Sequence, residues 1–155
     1  MAKTDDILAL DNQLCFALYA ANRAVTARYR PLLTELGLTY PQYLVMLVLW
    51  EAAAAVDVVR VSGLGERLRL DSGTLTPLLK RLEERGLVSR QRSAEDERVV
   101  TVAATTAGLA MRERARSIPG RLLCSTGVDP DRLMALRDEL RSVLAQLESQ
   151  APSAR

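Results

Sequence analysis

Apolar positions at Leu14, Leu18, Ala21, Val25, Leu32 and Leu36 recur at helical spacing. They predict a first helix from about Leu10 to Leu36, bent or locally broken at Pro31 and ended by Gly37. Pro41 suits the first position of a second helix reaching Glu51. Its run from Tyr43 to Trp50 is apolar on every side and is expected to be buried. Ala52 to Val56 reads as a loop or a frayed helix end, and Val58 to Val61 as a short β-branched strand. Ser62 is the expected cap of a short helix from Gly63 to Leu70, with Leu64, Gly65 and Leu68 inward. Asp71 and Ser72 begin a helix that ends before Gly86, with Leu75, Leu78, Leu79 and Leu82 on one face. Leu87 to Arg92 and Arg98 to Ala103 read as strands around a charged tip, Ser93 to Glu97. Thr105 caps a long helix to about Cys124, with a kink expected at Pro119-Gly120. Asp129 and Pro130 open a last helix to about Ser149, and the tail from Gln150 is expected to be disordered.

That order predicts a mainly α fold with a small β wing, built as one domain over residues 1–155. A winged helix-turn-helix over 41–103 is expected to read DNA, flanked by helical regions 10–40 and 105–149 that pair two copies. Leu133, Leu136, Leu140, Leu144 and Leu147 make a stripe on the last helix that wants a partner. The chain's own first helix could cover it. A second copy is the favoured partner, because DNA readers of this kind pair their half-sites.

Composition removes more functions than it adds. No apolar run approaches the ~18 residues of a membrane span, and Met1 to Asp6 lacks a signal-peptide pattern. The expectation is a cytoplasmic protein with no membrane partner. With no histidine, His-based triads, His-paired cysteines and His metal sites are unavailable. Two cysteines cannot build a four-cysteine zinc site, and Ser62 to Glu66 lacks the spacing of a phosphate loop. A non-enzyme without metal or cofactor is expected, and the chemistry left is that of a thiol. Net charge of +2 does not announce nucleic acid. Lys3 and Lys80 are the only lysines, an arginine bias that a GC-rich genome explains as well as function does. Every aromatic residue lies between Phe16 and Trp50, with Cys15 at the edge of the cluster. Composition by itself favours an inert, buried cysteine in an aromatic patch of core.

On the helix that begins at Asp71-Ser72, Thr76, Lys80 and Glu84 point away from the leucine face, and Ser72 and Thr74 decorate its positive end. Small hydroxyls there can reach bases or phosphates, while Lys80 and Arg81 neutralise phosphates. An ordinary amphipathic surface helix fits the same pattern, and Pro77 clouds the register. In the hairpin, Arg90 and Arg92 precede the tip and Arg98 follows Asp96 by two residues. An arginine held there by a carboxylate can enter the minor groove. A solvated charge cluster is the alternative.

The run Leu70 to Glu83 (LDSGTLTPLLKRLE), followed by Glu95-Asp96-Glu97-Arg98, resembles the recognition helix and wing of MarR-family repressors. Leu10 to Ala20 (LDNQLCFALYA) and Leu38 to Leu44 (LTYPQYL) are similar to the organic hydroperoxide resistance branch of that family. The resemblance covers nearly the whole chain from Asp11. The stretch Ala52 to Ala55 departs from it as a longer loop, and the C-terminal third is less distinctive. It implies a homodimeric repressor on a double-stranded DNA operator, induced by organic hydroperoxide. It also implies that Cys15 is the sensing thiol and that Tyr29 and Tyr40 donate hydrogen bonds to the partner's thiolate. The residues agree in part. If Asp11 caps the first helix, Cys15 lies in its first turn, where the helix dipole favours an anion. Tyr19 shares that face. Tyr29 is fourteen residues on, ~21 Å along a straight helix, so it can reach only the partner's Cys15. Phe16, Leu44, Met46 and Leu47 would favour an organic peroxide, or they are plain core. Cys124 is a candidate resolving thiol, or filler. A repressor answering a phenolic ligand without redox chemistry is the alternative; a thiol peroxidase has no matching active-site motif.

Overall fold

Helix α1 starts later than its leucine periodicity predicts. In the computed structural model, which describes residues 7–150, Leu10–Asn12 form a separate turn of 3-10 helix. The chain extends at Gln13, and α1 runs Leu14–Thr34. Asp11 therefore does not cap it; Gln13 holds the cap position without a side-chain hydrogen bond. The helix continues through Pro31 unbroken. Met1 to Asp6 and most of the expected disordered tail lie outside the described residues.

Helix α2 (Tyr40–Ala55) begins with a capping box, in which Thr39 accepts from the Gln42 N–H and Gln42 accepts from the Thr39 N–H. It absorbs Ala52 to Ala55, expected as loop, because an alanine run propagates a helix at little cost. Val56, left-handed at φ 54°, ends it. Strand β1 is only Val59–Arg60, and Val61 already begins α3 (Val61–Leu68). Ser62 is thus inside the helix rather than its cap; Arg60 takes the cap position without a side-chain hydrogen bond. Asp71 caps α4 (Ser72–Glu84), accepting from the Thr74 N–H at 2.8 Å.

Strands β2 (Val88–Arg92) and β3 (Val100–Ala104) pair antiparallel, with Arg92 opposite Val100. The pairing leaves Arg98 in the turn instead of the expected strand, since Val99 closes back onto the Asp96 carbonyl. β3 is central, between β1 and β2. Leu33, Leu36 and Leu38 pack in one core with α2 residues Tyr43, Val45, Met46, Leu49 and Trp50 and with α4 residues Leu75, Leu79 and Leu82. Each fully buried leucine contributes about 2 kcal/mol by removal of apolar area. Thr105 caps α5 (Thr106–Ala115) as expected. Gly108 lets α5 close onto the turn before β2, because a Cβ there would sit 2.1 Å from the Leu87 carbonyl oxygen. Trp50 Nε1 donates to the Gly108 carbonyl at 2.8 Å.

The long fifth helix is two helices, α5 and α6 (Ile118–Thr126). The break falls at Arg116-Ser117, ahead of the expected kink. Pro119 has no N–H for the carbonyl four residues back, and its ring clashes with it, so the interruption is felt upstream. The chain divides into two units, one through Ile118 and one from Pro119. In the second, Asp129 caps α7 (Pro130–Ser149), accepting from the Asp131 and Arg132 N–H groups. Met134, Leu136, Leu140, Leu144 and Leu147 of α7 are exposed. Among the described residues no helix is long and apolar enough to cross a membrane.

Candidate DNA-reading surface and thiol site

Helix α4 divides cleanly into two faces. Leu75, Leu79 and Leu82 are buried, with Leu78 half-buried, while Ser72, Thr74, Thr76, Lys80 and Arg81 are exposed. Pro77 sits within the helix without breaking it. Lys80 lies 3.9 Å from Glu84, a loose exposed pair that leaves its charge free to act elsewhere. The positive N-terminal end and its hydroxyls thus face solvent together, as an anion-reading surface requires.

The wing holds its arginines in three different ways. Arg98 is 91% exposed, and its guanidinium donates to Asp96 at 3.2 and 3.4 Å, while its backbone N–H also donates to Asp96. Those bonds hold the Asp96 carboxyl below its ordinary range. An arginine so steadied at a hairpin tip is held out into solvent. Arg92 donates to the Glu97 carbonyl at 2.8 Å, bracing the tip. Arg90 is engaged within the protein. Its guanidinium donates twice to Glu83 Oε2, at 2.7 and 3.1 Å, and its N–H to Glu83 Oε1. The Arg90 bonds hold Glu83 below the usual carboxylate range. This ion pair joins α4 to β2, and sequence reasoning missed it because opposite charges seven residues apart signify nothing until the turn between them is known.

Cys15 lies in the first turn of α1 and is exposed, with a free thiol. The buried cysteine that composition favours is therefore absent. Nearby, Phe16 and Tyr19 rings are 6.4 Å apart, and Tyr19 lies under Arg23, whose Nη1 donates to its hydroxyl at 3.3 Å. The apolar wall expected around the thiol is only partly accessible: Leu47 is exposed and Phe16 and Leu44 half-buried, but Met46 is fully buried and cannot meet a peroxide. Cys124, on α6, is also exposed and free. Among the described residues no cluster of His, Cys, Asp or Glu could hold a metal.

Tyr29 and Tyr40 come together although they belong to different helices. Their ring centroids are 4.9 Å apart, and Tyr43 lies 5.8 Å from Tyr29. Burial first, then its tyrosine neighbours, pushes Tyr29 up to about 12. Burial raises Tyr40 as well. Both hydroxyls therefore stay protonated donors at neutral pH. Tyr29 and Cys15 share one continuous helix, so the ~21 Å separation holds. Beside Tyr40 opens a cleft of ≈ 600 Å³ lined by Arg23, Thr26, Arg30, Leu33 and Leu38. The α1 residues that line it lie outside the apolar stripe that the spacing along that helix marks, so the cleft was not legible in the sequence.

The residues 27–113 match the family model described as transcriptional regulator SarA/Rot. The chain is 46% identical over 142 residues to the organic hydroperoxide resistance transcriptional regulator of Bacillus subtilis (strain 168), covering 92% of this chain and 94% of that protein. It is 47% identical over 149 residues to the HTH-type transcriptional regulator TtmR of Methylorubrum extorquens (strain PA1), covering 96% and 74%. The crystal structure of AbfR of Staphylococcus epidermidis matches with a TM-score of 0.73 at 36% identity, over 91% of this chain and 95% of that one. AbfR bound to DNA, reduced and overoxidised, matches at TM-score 0.70 and 36% identity, over 89% and 94%. Disulfide-formed AbfR matches at 0.61 and 35%, over 91% and 93%.

Proposed function

Because the chain belongs to the MarR-type winged-helix regulators, in their organic hydroperoxide resistance branch, it is a DNA-binding transcriptional regulator, and we propose that it is a peroxide-released repressor. In this reading two copies pair through residues 10–40 and 105–149, and residues 41–103 of each read one half-site. Ser72, Thr74, Thr76, Lys80 and Arg81 meet the major groove, and Arg98, steadied by Asp96, the minor groove. Arg92 braces the wing, and Arg90 acts through Glu83 rather than on DNA.

One observation carries the redox part: Cys15 is an exposed, unpaired thiol in the first turn of α1, out of reach of its own chain's Tyr29. Tyr29 and Tyr40 of the partner then supply phenol donors to the Cys15 thiolate, with Tyr19 on the same face of α1. The thiolate attacks the terminal oxygen of an organic hydroperoxide; the O–O bond breaks, and the alkoxide leaves as the alcohol after taking a proton. Cys15 is then a sulfenic acid. The thiol of Cys124 attacks its sulfur, an S–S bond forms, and water leaves. An inter-subunit disulfide of this kind needs the two Cα atoms within ~7 Å; where the reduced dimer holds them further apart, closing it moves the helices that carry the DNA-reading regions.

The test is an operator band shift with and without cumene hydroperoxide, for wild type and Cys15→Ser. Wild type should release DNA and Cys15→Ser should hold it. Release of both alike would favour a second reading, to which the cleft beside Tyr40 is suited: a repressor answering a small phenolic ligand without redox chemistry.

A further inference from the structure

We propose that Arg85 positions the recognition helix for operator binding, by tying the C-terminal end of α4 to the C-terminal end of α1, the helix that carries Cys15. The proposal rests on the reading of α4 as the DNA-reading helix. Arg85 is the residue that closes α4. Its guanidinium does not turn toward an acid. It donates through Nη1 to the Gly37 carbonyl and through Nη2 to the Leu36 carbonyl at 3.2 Å. From α5, Arg114 donates to the Glu35 carbonyl at 2.6 Å. Three successive carbonyls after the last residue of α1, those of Glu35, Leu36 and Gly37, are thus taken by two guanidiniums.

That arrangement has a physical logic. Carbonyls just past a helix have no intrahelical partner, and they lie beside its negative C-terminal end, where cations are favoured. A planar fork can bridge two carbonyls, which a lysine ammonium does less well. Gly37 completes the joint. It sits at φ +65°, where side chains are strained, and a Cβ there would come within 3.0 Å of Arg85 Nη2. Glycine at 37 therefore both makes the turn and leaves room for the guanidinium.

The joint links two functional helices at one point. The end of α1 is set in the core through Leu33 and Leu36, and α4 through Leu75, Leu79 and Leu82. Packing holds the helices together, while directional bonds fix how one end lies on the other. Because the side chain is exposed, losing it costs little folding stability. Operator reading, by contrast, requires α4 placed closely against base edges, and depends on that orientation far more than folding does.

The experiment uses the full-length reduced protein and an operator fragment selected by wild type from random-sequence DNA. Arg85→Ala should bind it about tenfold more weakly, with the urea midpoint little changed. The slope of log affinity against log salt should stay at the wild-type value, since no phosphate contact is lost. Arg85→Lys should recover part of the affinity. Gly37→Ala should weaken binding too, and the double variant should lose less than the two single losses combined. Wild-type affinity of Arg85→Ala overturns the proposal. So does a salt slope reduced by about one, which would make Arg85 a phosphate contact, and so does a loss of affinity that only tracks unfolding. Lys80→Ala is run beside them; unchanged affinity there would sink the reading of α4 itself, whereas a drop in both affinity and slope leaves Arg85 to be judged on its own numbers.

Discussion

Helices α4 and α7 carry the same kind of leucine stripe and treat it in opposite ways. On α4, Leu75, Leu79 and Leu82 are at most 2% exposed. On α7, Leu136, Leu140, Leu144 and Leu147 are between 37% and 66% exposed. The difference lies in what surrounds each stripe. α4 has α2, α3 and β2 to pack against within its own unit, whereas the second unit holds only α7 and α6 from Pro119 onward. A row of leucines left in water is unfavourable, and a second copy of the chain is the partner that a paired DNA reader supplies. One periodicity thus describes two kinds of surface: a finished core and half of a proposed interface.

The comparison breaks or sharpens by measurement. The largest effect should come from Leu79→Ala, which opens a cavity in the core and should cost about 2–5 kcal/mol. Its loss in urea unfolding should be the same at every protein concentration. Leu140→Ala should cost less, and its loss should depend on concentration, because it acts through association. Sedimentation should show Leu140→Glu as a monomer; a Leu140→Glu protein that stays dimeric would remove α7 from the proposed interface. Next in size, Arg98→Ala should weaken operator binding by about tenfold and lower the salt slope by about one, with folding unchanged. Wild-type binding would return the wing to a mere solvated charge cluster.

The smallest effect concerns pH. Tyr29 ionises at about 12 in the fold against 10.0 ordinarily. Its folded value is raised, so the stability it lends is fully present below about pH 10 and is lost as pH climbs towards 12. Ultraviolet titration should show a tyrosine that ionises late, absent in Tyr29→Phe. Glu83 and Asp96 are shifted the other way, downward by Arg90 and Arg98. Their contributions are present above the ordinary carboxylate range and fall away only in strong acid. Operator binding should therefore not weaken between pH 8 and pH 5 through the wing.

Much of this was legible along the chain. Leucine spacing on α4, the Thr105 cap and the Asp129-Pro130 start are local facts, written within one or two turns of backbone, and the structure has them where the pattern put them. The identity of the family was legible for the same reason, in contiguous runs such as Leu70 to Glu83 and Leu10 to Ala20. Element ends were less so. The extended Gln13, the loss of Ser62 as a cap and the break ahead of Pro119 depend on competition between neighbouring signals, of which only one can win.

The tertiary structure decided everything that needs two distant segments at once. It withdrew Met46 from the thiol's surroundings by placing it at the centre of the core. It paired Arg90 with Glu83 across the turn between α4 and β2. It set Tyr29 on Tyr40, and it laid Arg85 across the end of α1, 48 residues away in sequence. Side-chain type and spacing determine which surfaces a helix can offer, because both repeat with the backbone. Which surface meets which, and which cation finds a carbonyl instead of a phosphate, depends on where the chain returns to itself, and only the fold contains that.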